Sequence, residues 1–562
     1  MNRTDERGTL PASLALGEPR FRDGNLAKLC RDAGPLAAWR EALRHGARTA
    51  ASMAEGEFAV ALREPDGRVF LAVDRFAVRT LCYRVVGGTL QFAARADELA
   101  DGAPIDPQAL FDYLYAHVIP SPRTIFQGVF RLPPGHYALW EHGRLEVAPY
   151  WVAEFDDAAP WSLAEAKLEF RQLLRDAVAA QLDGSKPACF LSGGTDSSTV
   201  AGMIGEVAGR PAASYSIGFE AEGYDEMEYA RIASRHFRTE HHEYYVTPDD
   251  LVAAIPAAAA HFDQPFGNSS ALPAYYCARM AREDGVSKLL AGDGGDELFG
   301  GNSRYATQRI FSWYDAVPAG VRHALLEPLF GLPAVARMPL LRKGSGYIRQ
   351  ARVPMPDRLQ TYNLLNRIGV DEVLSAELLA AADSTALQRQ QREVWQAART
   401  GSLVNRMLAF DWRYTLAETD LPKVCGATQL AGIGVGFPLL DPGLLALALR
   451  LPPDAKLKGL RLRWFFKEAL RGFLPDAIIT KKKQGFGLPF GVWTTRHAGL
   501  RNLAEDSLAS LGTRGIVRPE FIRVLLAEHL PAHPGYYGEM VWILMMLEQW
   551  LRGHAPAYRL AS

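Results

Sequence analysis

Two glycine-rich stretches hold carboxylates and hydroxyls in positions that could do chemistry. The first reads Ser192, Gly193, Gly194, Thr195, Asp196, Ser197, Ser198. The second reads Gly292, Asp293, Gly294, Gly295, Asp296, Glu297, then closes on Gly300 and Gly301. Glycine lets a backbone come close to a ligand, and N–H groups at a helix start favour an anion such as a phosphate. Carboxylates beside such a loop are the hard oxygen donors that Mg²⁺ takes while bridging phosphates. A basic set follows: Lys467, then Lys481, Lys482 and Lys483 ahead of Gln484, Gly485, Phe486 and Gly487. A fixed ammonium stabilises the charge that gathers when pyrophosphate leaves a phosphoryl centre. Each group also has a plain reading. Asp196, Ser197 and Ser198 could cap a helix, the acidic loop could be a solvated turn, and the lysine triplet could be a solvated surface. Their coincidence in one chain favours a phosphate site. The first loop is not a Walker loop, because no Gly-Lys pair follows the turn.

Both loops need a scaffold. Residues 188–191 and 287–291 read as short buried strands that lead into them. Residues 199–207 read as a helix, 213–219 as a second strand, 226–236 as a helix and 242–246 as a third strand. Strands alternating with helices predict a parallel sheet with ligands at the strand C-termini, which puts the strand end at Ile217 beside the first loop. Residues 161–182 have helical apolar spacing, and 308–401 read as helices with most of their arginines on solvated faces. The text before residue 155 differs. Apolar runs flank turns at 64–67, 87–88 and 141–143, which predicts three hairpins in an α+β layer rich in antiparallel strand. The fold class is therefore α/β, with an antiparallel part over 1–155 and a parallel-sheet part with a helical C-terminal region over 160–562.

Residues 192–198 resemble S-G-G-x-D-S-S, the pyrophosphate loop of the ATP pyrophosphatase superfamily (adenine nucleotide α-hydrolase-like). Residues 292–301 resemble the G-D-G-G-D-E-x-F-G-G hallmark of asparagine synthetases. Residues 55–59, 73–76, 81–83, 90–93 and 131–136 follow, in order, the second half of a class II glutamine amidotransferase domain, which is Ntn-hydrolase-like. The chain is thus identified as a member of the asparagine synthetase family, with a degenerate amidotransferase domain. The resemblance implies ATP and Mg²⁺ as cofactors. It implies ATP contacts at Leu191, Ser192, Gly193, Gly194, Asp196, Ser197 and Ser198, at the main chain of Ile217 and Gly218, and at Ala291 and Gly292. It implies Asp196 and Asp296 as metal carboxylates, Asp293 in adenylate formation, and Lys483 as catalytic lysine with Lys482 as the register alternative. The family's K-x-x-L-R run lies over Lys467 onward, which adds Lys467 to the catalytic set. Ser269 and Ser270 fall on the acceptor side, with capping of a helix near Pro273 as the alternative.

The departures are equally specific. The family's glutaminase nucleophile is a cysteine at position 2; Asn2 stands there, and the first cysteine is Cys30. Glutamine is therefore expected not to be hydrolysed; the alternative is a missing upstream segment. Lys423 to Thr428 replace the family's Asp-Arg pair, and Gly434, Val435 and Gly436 replace its E-x-R. Those losses predict a less charged acceptor wall, suited to a larger or neutral partner. The implied activity is ATP-dependent amide formation through an acyl-adenylate, with pyrophosphate released. The substrate is a small-molecule or peptide carboxylate, and the nucleophile is ammonia or an amine. Two alternatives stay open: a lactam- or macrolactam-forming cyclase, and a non-catalytic ATP-binding scaffold. A homodimer and a partner protease also both stay open.

Composition bounds the rest. The chain has 562 residues with 62 Lys and Arg against 63 Asp and Glu, so its net charge of −1 gives no pull toward nucleic acid or an anionic membrane. Five scattered cysteines form no C-x-x-C pair, and no apolar run follows the polar start. These features predict a cytoplasmic protein with neither disulfide frame nor zinc site.

Overall fold

The computed structural model describes residues 12–221, 223–331, 339–481 and 487–560, without the side chains of 331–342. Among the described residues no helix is long and apolar enough to cross a membrane, and all five cysteines are free thiols.

All three expected hairpins form. Phe58–Arg63 pairs with Val69–Val73, Cys82–Val86 with Thr89–Ala93, and His136–Glu141 with Arg144–Pro149, each antiparallel. Hairpin pairing alone does not give the sheets. Val69–Val73 also takes His136–Glu141 as neighbour, and Ser13–Gly17 adds to the other edge, making five strands. Cys82–Val86 sits centrally in a separate three-stranded sheet with Phe130–Arg131. Successive side chains on a strand point to opposite faces. Phe58, Val60 and Leu62 therefore pack under Trp39 and Leu26 of two short helices, while Ala59, Ala61, Leu71 and Val73 face Tyr83, Leu90 and Phe92 of the second sheet. The result is a layered stack of helices, sheet and sheet. One buried carboxylate ties its corner: Asp74 accepts hydrogen bonds from the N–H groups of Phe58, Phe76, Val78 and Arg79.

The second sheet system is parallel throughout. Its spatial order is Glu240–Val246, Ala213–Phe219, Ala188–Phe190, Lys288–Leu290, Gly434–Gly436. The chain begins at the central strand, moves outward one way, then returns to the other side of the same strand. Cys189 lies opposite Leu290 at that reversal. Open α/β sheets bind ligands at such a reversal, outside the strand C-termini. Both glycine loops leave the sheet there.

Candidate active site

The first loop follows Ala188–Phe190 and opens the helix Thr195–Ala208. Gly193 has φ of +70°, and a Cβ there would strike the backbone of Tyr229 and Ala230, so only glycine fits. The turn is braced internally: Ser192 N donates to Ser197 Oγ at 3.1 Å, and the Ser192 and Ser197 hydroxyls lie 3.0 Å apart. No side chain caps this helix start. The capping reading of Asp196, Ser197 and Ser198 is thereby corrected. Asp196 belongs to the first turn, and Ser197 Oγ is engaged by Ser192 rather than by the helix N–H groups.

The second loop sits against the first. A Cβ on Gly292 would lie 2.7 Å from Ser197 N, and Ala291 N donates to Gly436 O at 2.9 Å. Leu191 N donates to Tyr215 O at 2.9 Å, and Ser216 Oγ donates to Leu191 O, so the strand carrying Ile217 and Gly218 ends beside the first loop. Leu191, Ala291, Gly292, Ile217 and Gly218 therefore gather around one strand-end crevice.

Asp196 and Asp296 come together on a cation that sequence reasoning did not single out. Arg463 pairs with Asp196 through Nη2 and stands 2.8 Å from Asp296 Oδ1 through Nη1, which also donates to Thr195 Oγ1 at 2.7 Å. Burial alone would lower the pKa of Arg463, but the two carboxylates outweigh it and hold the guanidinium charged. Arg463 has φ of +56° and precedes the helix Trp464–Ala469; its N–H donates to Gly300 O at 3.1 Å. Lys467 lies one turn further along that helix, half-buried. Burial, then the neighbouring Arg463, lowers its pKa. Among the described residues Lys467 makes no ion pair with either carboxylate, so Arg463 rather than Lys467 reaches the acidic pair.

Asp196 and Asp296 suit a divalent cation. Their oxygens already converge on one positive group. A Cβ on Gly295 would collide with Asp196 Oδ1 and one on Gly301 with Asp296 Oδ1, so glycine at these positions leaves the two carboxylates room. Two carboxylates complete a Mg²⁺ site only with phosphate or water oxygens. No group of three acidic, histidine or cysteine ligands gathers among the described residues.

Asp293 points to a different cation. Lys423 Nζ lies 2.9 Å from Asp420 Oδ1 and 3.4 Å from Asp293 Oδ1. Burial raises the pKa of the Asp293 carboxyl against the pull of Lys423. Two carboxylates and an ammonium therefore stand together at this point. Gly436, in the segment that lost the family's E-x-R, is a strand position where a Cβ would collide with Gln181 and lie 3.0 Å from Lys288 Cε. Close packing explains its smallness.

Ser269 and Ser270 occupy a segment clamped from two sides. Gly267 N donates to His117 O at 2.8 Å, and Trp542 Nε1 donates to Gly267 O at 3.0 Å. Capping by these serines is also corrected. Ser270 has helical backbone angles and no side-chain cap bond to Ala271–Glu283, and its N–H donates instead to Asn268 Oδ1 at 3.0 Å. Lys482 and Lys483 lie outside the described residues. The residue before them, Lys481, sits 3.1 Å from Glu226 Oε2, with its ammonium 4.2 Å from the Tyr229 ring centre. Tyr229 is the residue against which Gly193 packs, so the lysine segment departs from beside the first loop. Among the arginines of 308–401 Arg358 is buried, donating to the carbonyls of Val353 and Ala351.

Known proteins resemble the chain along these same stretches. The family model described as asparagine synthase matches residues 169–552, and that described as a glutamine amidotransferase domain matches 38–151. Asparagine synthetase (glutamine-hydrolyzing) 1 of Bacillus subtilis strain 168 is 25% identical over 519 residues, which are 90% of this chain and 79% of that protein. Amidase chyE of Penicillium rubens is 24% identical over 514 residues, 81% of this chain and 73% of its own length. Asparagine synthetase (glutamine-hydrolyzing) 3 of B. subtilis is 24% identical over 453 residues, covering 77% and 67%.

Proposed function

The chain belongs to the asparagine synthase family and is a ligase that forms carbon–nitrogen bonds; from that premise we propose that it activates a carboxylate with ATP, without glutaminase activity. The observation that carries this reading is the pairing of the two glycine loops on adjacent parallel strands, with Asp196 and Asp296 converging on one cation.

In the proposed reaction a carboxylate oxygen attacks the α-phosphorus of ATP. The bond to the β-phosphate oxygen breaks, and pyrophosphate leaves an acyl-adenylate. An amine or ammonia nitrogen then attacks the acyl carbon, AMP departs with its oxygen, and the nitrogen loses a proton. Ser192, Gly193, Gly194, Ser197 and Ser198 cradle the departing phosphates, while the main chain of Leu191, Ile217, Gly218, Ala291 and Gly292 holds the nucleoside side. Mg²⁺, held by Asp196 and Asp296 with phosphate oxygens, would neutralise charge on the leaving group. Arg463 holds the two carboxylates in register, and Lys483 and Lys467 supply positive charge toward the phosphates. Asp293, paired with Lys423, would orient the acyl group or take the amine proton. Ser269 and Ser270 line the acceptor side.

We divide the chain at 1–155 and 160–562, which the two family-model matches support. Among the described cysteines none is poised as a glutaminase nucleophile. Cys30 lies on a helix with its pKa raised by burial, and Cys82 is pushed up to about 12 by burial. Aspartate with ammonia, and an amine and carboxylate carried on a larger molecule as in a lactam-forming cyclase, are the two substrate classes. The decisive experiment is pyrophosphate release with ATP and Mg²⁺, run with aspartate plus ammonia and with candidate peptides. Release that depends on a carboxylate supports the ligase. ATP binding with no release under any acceptor would leave a scaffold instead, and stimulation by glutamine would refute the claim about the N-terminal part.

A further inference from the structure

Trp412 stands at the back of the acidic loop, where both parts of the chain meet. Its Nε1–H donates to Glu297 O at 2.9 Å, one residue past Asp296. Its ring stacks on Phe155 at 5.3 Å and on Trp151 at 6.0 Å, and meets Phe76 edge-on at 6.1 Å. Phe76 is fixed by the Asp74 corner, since its own N–H donates to that carboxylate at 3.0 Å. Trp151 carries the Arg75 guanidinium over its face at 5.7 Å, and Arg75 is 3.1 Å from Glu55. The indole is thus gripped by the antiparallel layer and by the segment leading out of it.

The grip matters because the helix bearing Asp296, Gly295–Phe299, has only five residues. So short a helix does not hold itself, and its last carbonyls need partners from outside. Asp296 O receives the N–H groups of Gly300 and Gly301 at 2.9 and 2.8 Å. Glu297 O receives Trp412. One residue earlier, Asp411 accepts from Arg304 and Tyr305, on the helix Ser303–Asp315 that continues the loop. Residue 412 therefore holds the acidic loop at Glu297 and residue 411 holds the helix that follows it, and 412 begins a π-helical stretch, Trp412–Asp420, a geometry common at functional sites.

We propose that the antiparallel layer serves to hold Asp296 in its ligand-binding position through Trp412. Trp412 is a positioning residue, and the inference rests on the ligase reading for its kinetic readout only. The test uses the full chain with Trp412→Phe, which keeps the ring and removes the donor, and Phe76→Leu, which lies in the antiparallel layer. Each variant should raise the KM for Mg·ATP about five- to tenfold and speed amide hydrogen exchange of residues 292–301 about tenfold. The double variant should be no worse than Trp412→Phe, because contacting residues on one route are not additive. Lower melting temperatures with unchanged KM and unchanged exchange would show mere core packing and overturn the proposal, as would strictly additive effects. Absence of pyrophosphate release from the unaltered protein would refute the ligase reading. The exchange measurement would still decide for or against the clamp.

Discussion

Arg463 Nη1 stands 2.8 Å from Asp296 Oδ1, while the other end of the same guanidinium is paired with Asp196. Two carboxylates that share one counter-ion repel each other once it is gone. Removing one partner of a buried pair costs ~3–5 kcal/mol. Both carboxylates keep some solvent contact, so Arg463→Met should cost about 2 kcal/mol. Millimolar Mg²⁺ should recover much of the lost melting temperature in the variant and change the unaltered protein far less. A variant whose melting ignores Mg²⁺ would show that the acidic pair is no cation site.

Lys423 is expected to control the acid limb of the pH–rate profile. Burial alone would lower its pKa, but Asp420 and Asp293 outweigh it and keep the ammonium charged. The same ammonium opposes the upward push of burial on the Asp293 carboxyl. In Lys423→Met that opposition vanishes, and the Asp293 pKa rises further. Activity that needs ionised Asp293 is then lost at a higher pH as the solution is acidified. The acid limb should move to higher pH, and the lost rate should recover in part as the pH is raised. An acid limb that stays in place would remove Asp293 from the chemistry.

Lys456 makes folding stability depend on alkaline pH. It is fully buried, donates to Asn405 Oδ1 at 2.6 Å, and is lowered from 10.5 to about 7 by burial. Between about pH 7 and 10.5 the unfolded chain binds the extra proton, so stability rises with pH across that window and is flat below it. The full swing is at most ~5 kcal/mol. Urea unfolding at pH 7, 8, 9 and 10 should show the rise in the unaltered protein and its loss in Lys456→Met. Equal slopes in the two proteins would contradict a depressed lysine.

Lys483→Ala should reduce pyrophosphate release about 10²- to 10³-fold with the far-ultraviolet circular dichroism spectrum unchanged. Lys482→Ala should stay within about threefold. The reverse pattern would move the catalytic lysine by one residue.

The glycine loops were legible in the sequence because each is a contiguous pattern with one physical purpose. The hairpins were legible because alternation and turn residues are local. Contacts between distant residues were not. The pairing of 69–73 with 136–141 joins strands separated by a whole sheet's worth of chain, and nothing in either stretch names its neighbour. Arg463 was overlooked because a bulky residue at positive φ carries no sequence mark, and because the lysine four positions later fitted a known run. The available clue was a basic residue at the head of the Trp464–Ala469 helix, where a cation is unfavourable unless carboxylates await it. The contact of Lys423 with Asp293 could not be read from either stretch, since the two residues lie 130 positions apart. The serines at 269 and 270 have the right type for a cap, but the Ser270 backbone is already helical and its side chain makes no cap bond, which a side-chain preference does not reveal.

The strand order of the parallel sheet also dictates a timetable of synthesis. The antiparallel layer is complete once residue 149 has left the ribosome, but the sheet that carries both glycine loops waits for Gly434–Gly436. At about 5–20 residues per second, those roughly 290 residues take on the order of 15–60 s. During that interval the nascent chain holds a finished sandwich next to an unfinished sheet whose strand edges are unpaired. Phe76 and Trp151 pack on Trp412, so that contact can form only after residue 412 has been made.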